Sequence, residues 1–438
     1  MPSIENRGVH LDLKGLPPTP PRLLKLLELV AAAGFTFVLV EWEDTFPWQV
    51  DPRFRNETAY TLQQIKEFHD LAAKLGLNII PLIQSLGHME MPLRLPEYAP
   101  LREIADRSDV VNPLAPGARH LVERMIDDVL RLSGPIEYLH LGGDEAWTFG
   151  THRDTLKFIE HHGKPALYLH HVEPLLDKLL SRGIRPILWH DMMHDWDAAS
   201  LARLGQKADV MFWSYRGHPD NAPSAFNSGM IRRFIEAGVT VWGACAFKGA
   251  DSRGDGDLPD APARISNATA WAEVAARFKL RGVVATGWSR YSTHRVQCEP
   301  IDGALDALIK VGAVLRDGHA ASDDAVFELL AAHNESATFA IRHTALTRLA
   351  EARRQAWQAV LLYRMQIHSE NDPRRRGSGV LAQFRRNAHE AFESLNRAAD
   401  EMRQSWSNAV PSCSIEEYLA VRLAPIETAL AEMSVCGD

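Results

Sequence analysis

The sequence predicts an α/β protein, a (β/α)8 TIM barrel over residues 1–320 followed by a C-terminal α-helical bundle over residues 321–438. Three observations carry this. Eight short runs rich in β-branched and aliphatic residues recur along the first 300 or so residues. Segments of helical periodicity separate them, the alternation from which such a barrel of roughly 250 residues is built. After Lys310, the last lysine, Ala, Leu, Glu and Arg dominate and the strand-like runs stop.

The expected strands are 7–13, 35–40, 78–83, 136–141, 186–189, 210–213, 240–244 and 282–286. The first expected helix, 21–33, carries Leu23, Leu26, Leu27 and Val30 on one face and stops at Gly34, a C-cap signal. Helices 61–75, 118–132, 167–180 and 226–237 also end at or just before a glycine. A doubly wound open sheet would more often place a Gly-rich phosphate loop after its first strand. Here that place holds Lys14-Gly15-Leu16-Pro17-Pro18. Beyond the barrel, 336–365 and 380–406 read as long helices broken at 372–377. Ser414 and Glu417 have the spacing of a capping box opening a third helix, with Pro425 as a kink. The Arg374–Arg376 run reads as a solvated loop.

A net charge of −8 and a pI near 6.2 give no basic surface for nucleic acid or an anionic membrane. The longest apolar runs are too short to span a bilayer. The start shows no secretory leader, and Cys245, Cys298, Cys413 and Cys436 have no framework spacing. A cytoplasmic protein with reduced thiols is expected.

In a barrel the site forms where the strands end. The fourth strand runs into Leu139-His140-Leu141-Gly142-Gly143-Asp144-Glu145-Ala146-Trp147. Neighbouring side chains on a strand point to opposite faces, so Asp144 and Glu145 can share a site only where the chain turns. Two acids in one pocket suit one charged and one protonated role. The other strand ends give Glu43 and Asp44, Gln84 and His88, Trp189 and Asp191, Trp213 and Tyr215, Phe247 and Lys248, then Trp288-Ser289-Arg290-Tyr291. Aromatic walls with a few carboxylates suit a sugar, because rings stack on the C–H faces of a pyranose while polar groups hold its hydroxyls.

Arg7-Gly8-Val9-His10-Leu11-Asp12, Gly87-His88 and His140-x-Gly142-Gly143-Asp144-Glu145 resemble glycoside hydrolase family 20, the β-N-acetylhexosaminidases. Glu43-Asp44-x-Phe46-Pro47, Phe247-Lys248-Gly249-Ala250 and Thr286-Gly287-Trp288 bring the likeness closer to the hexosaminidase D branch, over roughly residues 7–310. The resemblance implies removal of terminal β-linked GlcNAc or GalNAc with retention, the substrate's own acetamido oxygen acting as nucleophile. It implies Glu145 as general acid and base, protonated near neutral pH with a raised pKa. Asp144 would orient the acetamido group and stabilise the oxazolinium ion. Arg7 would bind ring hydroxyls, Glu43 and His88 would form a relay to Glu145, and Trp288, Trp189 and Trp213 would wall the sugar. Asp191 joins the substrate-binding set. The family places a Tyr after the seventh strand, where this chain has Ala246-Phe247-Lys248, and Tyr215 is the expected substitute. No cofactor and no metal are required. The C-terminal region is expected to be a homodimer surface or part of the pocket edge.

Two other readings compete. A metal-dependent amidohydrolase-like barrel would use the cluster His190-Asp191-Met192-Met193-His194-Asp195, with His10 and Asp12 on one strand face. Those histidines also suit hydrogen-bonded loop positions, and His161, His162, His170 and His171 are expected on the surface. The acidic run 251–260 reads as a substrate-covering loop, since it lacks the EF-hand spacing. A non-catalytic sugar-binding barrel is the third reading, and the intact Asp144–Glu145 pair speaks against it.

Overall fold

The computed structural model describes residues 4–250, 256–293, 295–370, 372, 374 and 379–435. Eight parallel strands close into a barrel in sequence order. They are β1 (Arg7–Asp12), β2 (Phe37–Glu41), β3 (Asn78–Leu82), β4 (Tyr138–His140), β5 (Arg185–Trp189), β6 (Asp209–Trp213), β7 (Val241–Lys248) and β8 (Val283–Gly287). Gly8 pairs with Phe37 on one side and Val284 on the other, which closes the ring.

Each strand is buried on both faces, as a parallel barrel requires. Phe37 and Leu39 of β2 point into the barrel with Ile80, Leu82, Ile187 and Met211. Val38 and Val40 point outward and pack against the helices. Helix Pro20–Ala32 covers the strands with Leu23, Leu26, Leu27 and Val30. Burying each such leucine contributes roughly 1.5–3 kcal/mol. Helix Leu62–Lys74 opens on a reciprocal capping box between Thr61 and Gln64, which satisfies two otherwise orphaned N–H groups.

The chain continues into helices Asp323–Ala332, Ser336–Glu370, Val380–Trp406 and Ser412–Val435. The last three share a hydrophobic cluster that includes Leu349, Val360, Leu395, Met402, Trp406 and Tyr418. Val326 and Leu330 of the first belong to the barrel's cluster. Two buried ionic nodes join these helices to the barrel. Asp302 receives Arg22 at 2.6 Å and Arg342 at 2.8 Å. Asp257, in the connection after β7, receives Tyr418 Oη at 2.5 Å, Arg422 Nε at 2.6 Å and Arg353 Nη2 at 2.8 Å. Arg422 Nη2 also donates to the Gln297 carbonyl at 3.0 Å, so the helical region grips the loops after β7 and β8.

Two local expectations are corrected. Helix Ser412–Val435 starts before Ser414, so Ser414 is a buried helical residue rather than an N-cap; Pro425, the expected kink, lies inside the same helix. His171 is buried, its Nε2 2.7 Å from the Ser85 carbonyl, because its face of helix Lys164–Leu180 meets the barrel. Among the described residues no helix is long and apolar enough to cross a membrane. Residues 251–255 of the acidic run, Arg375, Arg376 and Cys436 lie outside the described residues.

Candidate active site

Beyond β4 the backbone turns through Gly142 (φ 58°), Gly143 (φ 82°) and Glu145 (φ 43°). A side chain at Gly142 would meet Gln84 Oε1 at 1.9 Å, and one at Gly143 would meet Tyr168 Oη at 2.4 Å, so only glycine fits this turn. The turn abolishes strand alternation and brings Asp144 and Glu145 to one pocket. Gly87 completes the approach from β3, since a Cβ there would lie 2.0 Å from the Asp144 carbonyl oxygen. That close passage sets His88 against both carboxylates. Glu43 (φ 42°), His88 (φ 53°) and Glu145 are three of the six non-glycine residues with positive φ among those described. Each such conformation costs about 1–3 kcal/mol and is held by its surroundings.

His88 Nε2 lies 3.3 Å from Glu145 Oε2 and 3.5 Å from Asp144 Oδ2. Burial would lower the pKa of His88, but the charge of Asp144 and hydrogen bonds to both carboxylates raise it well above its ordinary value. Burial acting alone would raise Glu145. The hydrogen bond and charge of His88 outweigh it and hold Glu145 below the ordinary glutamate value, with further help from the Tyr291 hydroxyl. The expectation of a raised Glu145 is therefore corrected for the free protein, where His88 holds Glu145 down and is itself raised. Asp144 Oδ1 is buried and has no hydrogen-bond partner.

The pocket opens as a cleft of about 790 Å³ at the C-terminal ends of the strands. Trp189, Trp213, Tyr215 and Trp288 all line it, beside Asp144, Glu145 and His88. Trp213 stacks on Tyr215 with ring centroids 5.2 Å apart and planes at 17°. The Tyr215 hydroxyl contacts Thr286 and Trp288. Trp189 is fully buried against His140, with Nε1 unpartnered.

Asp191 acts on this pocket from behind. Its Oδ2 accepts from the Glu145 backbone N–H at 2.8 Å and its Oδ1 from Trp213 Nε1 at 3.2 Å. Burial, then the charge of Asp144, push Asp191 up to about 7. Glu43 lies near the mouth, but its carboxylate accepts from the Thr293 hydroxyl and, at 3.4 Å, from Arg290 Nη2. Burial and Asp44 push it up to about 7. The relay from Glu43 through His88 is thus not drawn as expected: Glu43 anchors the loop after β8.

The structure does not bring Arg7 to this mouth. It is the first residue of β1, at the opposite end of the barrel, where Nε donates to the Gly34 carbonyl at 2.7 Å and Nη1 to the Ile4 carbonyl. A cation just beyond β1 does reach the cleft. Lys14 Nζ lies 2.7 Å from Glu41 Oε2, 3.2 Å from Asp12 Oδ1 and 5.6 Å over the Trp288 ring. Tyr291 is another cleft residue outside the expected set of site residues. Its signal was a place three residues past Trp288 at the eighth strand end.

His190 Nε2 lies 3.1 Å from the Ala225 carbonyl and His194 Nδ1 2.9 Å from the Asp191 carbonyl, so both have loop hydrogen bonds. Among the described residues no group of three or more His, Cys, Asp or Glu is placed to hold a metal ion.

A family model described as glycosyl hydrolase family 20, catalytic domain, matches residues 43–235. Hexosaminidase D of Bos taurus is 33% identical over 313 residues, covering 69% of this chain and 89% of that protein. Hexosaminidase D of Homo sapiens is 32% identical over 313 residues, covering 69% and 64%. Among solved structures, Flavobacterium johnsoniae chitobiase aligns over 99% of this chain and 72% of its own, with a TM-score of 0.58 at 14% identity. A β-N-acetylhexosaminidase from Bacteroides fragilis NCTC 9343 aligns over 76% and 70%, with a TM-score of 0.56 at 16% identity. At such identities the structural likeness speaks for the fold, and the two hexosaminidase D relatives speak for the family.

Proposed function

The chain belongs to glycoside hydrolase family 20, the β-N-acetylhexosaminidases, and from that premise we propose that it removes terminal β-linked GlcNAc or GalNAc by a retaining, substrate-assisted reaction at Asp144 and Glu145. The observation that carries the mechanism is the unpartnered Asp144 Oδ1 beside a carboxylate–His88–carboxylate cluster, inside an aromatic cleft. An acetamido N–H is the donor that oxygen lacks.

In this reading the sugar lies among Trp189, Trp213 and Trp288. Asp144 Oδ1 accepts the acetamido N–H and turns the acetamido carbonyl oxygen toward the anomeric carbon. Substrate displaces water from Glu145, which favours its neutral form, and the proton on His88 crosses the 3.3 Å to Glu145 Oε2. Glu145 then protonates the bridging oxygen as the C–O bond breaks, and the acetamido oxygen closes an oxazolinium ring. Asp144 offsets the positive charge that develops, a preorganised electrostatic contribution. A water, deprotonated by Glu145, attacks the anomeric carbon and reopens the ring. Two inversions give net retention.

Asp191 fixes Glu145 through its backbone N–H and Trp213 through its indole N–H. Tyr215 takes the part of the tyrosine that steadies the acetamido oxygen. Lys14 takes the contact with ring hydroxyls expected of Arg7, since two of its three N–H groups face Asp12 and Glu41 and the residue still lines the cleft. The division of the chain into a catalytic barrel (1–320) and a helical domain (321–438) is part of the proposal. Its role as pocket edge is supported by the Arg422 bond to the loop after β8. A panel of aryl β-glycosides tests the whole: those with a 2-acetamido group should turn over, and comparable turnover of the glucoside or galactoside would defeat the reading.

A further inference from the structure

Resting on the reading of Tyr215 as the group that steadies the acetamido oxygen, we propose that Asn267 is a positioning residue for the reaction. With Arg264 and Trp271 it holds the backbone on which Tyr215 stands, from a helix none of whose residues line the cleft.

Beyond Trp213 the chain leaves β6 and runs without regular structure to the short helix Pro219–Asn221. Outside a strand, buried carbonyls need donors from elsewhere. Helix Ala261–Phe278, which follows β7, supplies them. Arg264, Asn267 and Trp271 lie at i, i+3 and i+7 on one face of it, all buried. Asn267 Nδ2 donates to the Ser214 carbonyl at 3.1 Å and to the Gly217 carbonyl at 2.8 Å, so its two amide hydrogens bracket Tyr215. Trp271 Nε1 donates to the Ser214 carbonyl at 2.8 Å, and Arg264 Nη1 to the Tyr215 carbonyl at 3.2 Å.

The amide serves the loop and not its own helix. Asn is a poor residue for a helix interior, and a buried amide costs stability unless it is bonded. Asn267 Oδ1 is buried without a hydrogen-bond partner, so what the position gains lies in the two hydrogens aimed at Ser214 and Gly217. The seat beneath them is close-packed. A Cβ on Gly243 of β7 would lie 2.7 Å from the Trp271 ring, whose centroid is 6.2 Å from that of Phe212 of β6. The segment so held carries the Trp213–Tyr215 stack, with the Tyr215 hydroxyl beside Thr286 and Trp288. A misplacement of about 1 Å, caused far from the chemistry, can cost about 10²-fold in rate.

The test is a double-mutant cycle with Tyr215, in the full chain, on an aryl N-acetylhexosaminide. Asn267→Leu roughly keeps the volume and removes both hydrogens. It should lower kcat about tenfold and leave KM within about twofold, because the hydroxyl acts on the forming ring rather than on the bound sugar. In a Tyr215→Phe background no hydroxyl is left to place, and the same change should cost less than about twofold. Trp271→Phe removes one donor to the same carbonyl and keeps a ring. It should repeat the pattern at about threefold, and it carries the test where Asn267→Leu does not fold. Equal losses in the two backgrounds, or a parent kcat in both Asn267→Leu and Trp271→Phe, overturn the positioning role and leave these residues to stability alone. A Tyr215→Phe protein with the parent's kcat overturns the reading beneath it, and this inference with it.

Discussion

At the N-terminal mouth of the barrel Arg7 gives its guanidinium hydrogens to the carbonyls of Gly34 and Ile4, and Arg185 binds Asp209 together with the carbonyls of Gly205 and Gln206. At the C-terminal mouth Asp144 Oδ1 and Trp189 Nε1 are buried without a partner, and Glu43, His88 and Glu145 sit at positive φ. The same strands supply both ends. The difference teaches where the molecule is complete by itself: one mouth closes its polar groups against its own backbone, and the other leaves donors and acceptors for a ligand. Unmade hydrogen bonds and strained backbone both cost stability, of order 1–3 kcal/mol each. Their concentration at one mouth is what a binding site leaves behind.

Substitutions at the two mouths should differ accordingly. The largest effect is expected for Glu145→Gln, which keeps volume but cannot donate or accept the proton. Its kcat/KM on a poor leaving group should fall about 10²–10⁴-fold, and much less on a dinitrophenyl glycoside. Equal losses on both would assign Glu145 another role.

His88→Asn should come next, and its signature is in the pH profile. Asp144 and Glu145 raise the pKa of His88 well above its ordinary value, which extends the acid form of the cluster to higher pH. Without the imidazole the proton must rest on a carboxyl, and the alkaline limb of kcat/KM should move toward acid. The same raised pKa stabilises the fold below about 6.5, a contribution lost as pH rises through the folded value. A variant with an unmoved alkaline limb would separate His88 from the proton.

The smallest effect on activity is expected at the closed mouth. Arg7→Ala should leave kcat/KM within about twofold while lowering stability by about 1–2 kcal/mol through lost hydrogen bonds. A KM raised tenfold with unchanged melting would return Arg7 to the sugar.

These contrasts mark what was legible in the chain. Strand and helix periods showed the barrel, because every β/α unit repeats one pattern of burial. Asp144, Glu145 and the tryptophans were legible because strand ends are local features. The direction of β1 alone could have placed Arg7 at the far mouth, since it opens the strand. The pKa of Glu145 was not legible, because it depends on how closely Gly87 lets one loop lie on another. Tyr291 was named at the eighth strand end, but its contact with the acid was hidden for a similar reason. Its loop is tied by Arg290 to Glu43 and Asp44, contacts 246 and 247 residues apart in sequence.

The central claim is that Asp144 serves an acetamido group that is itself the nucleophile. The most direct measurement compares Asp144→Asn with the parent in two quantities, turnover of an aryl N-acetylhexosaminide and affinity for a thiazoline mimic of the oxazolinium ion. Removing one preorganised charge typically costs about 10²–10³ in rate. The account predicts that mimic affinity and turnover fall together by that order, because both depend on the same charge. A variant that binds the mimic as tightly as the parent while its turnover collapses would contradict it, and would mark Asp144 as a group that acts on the reaction without touching the acetamido ring.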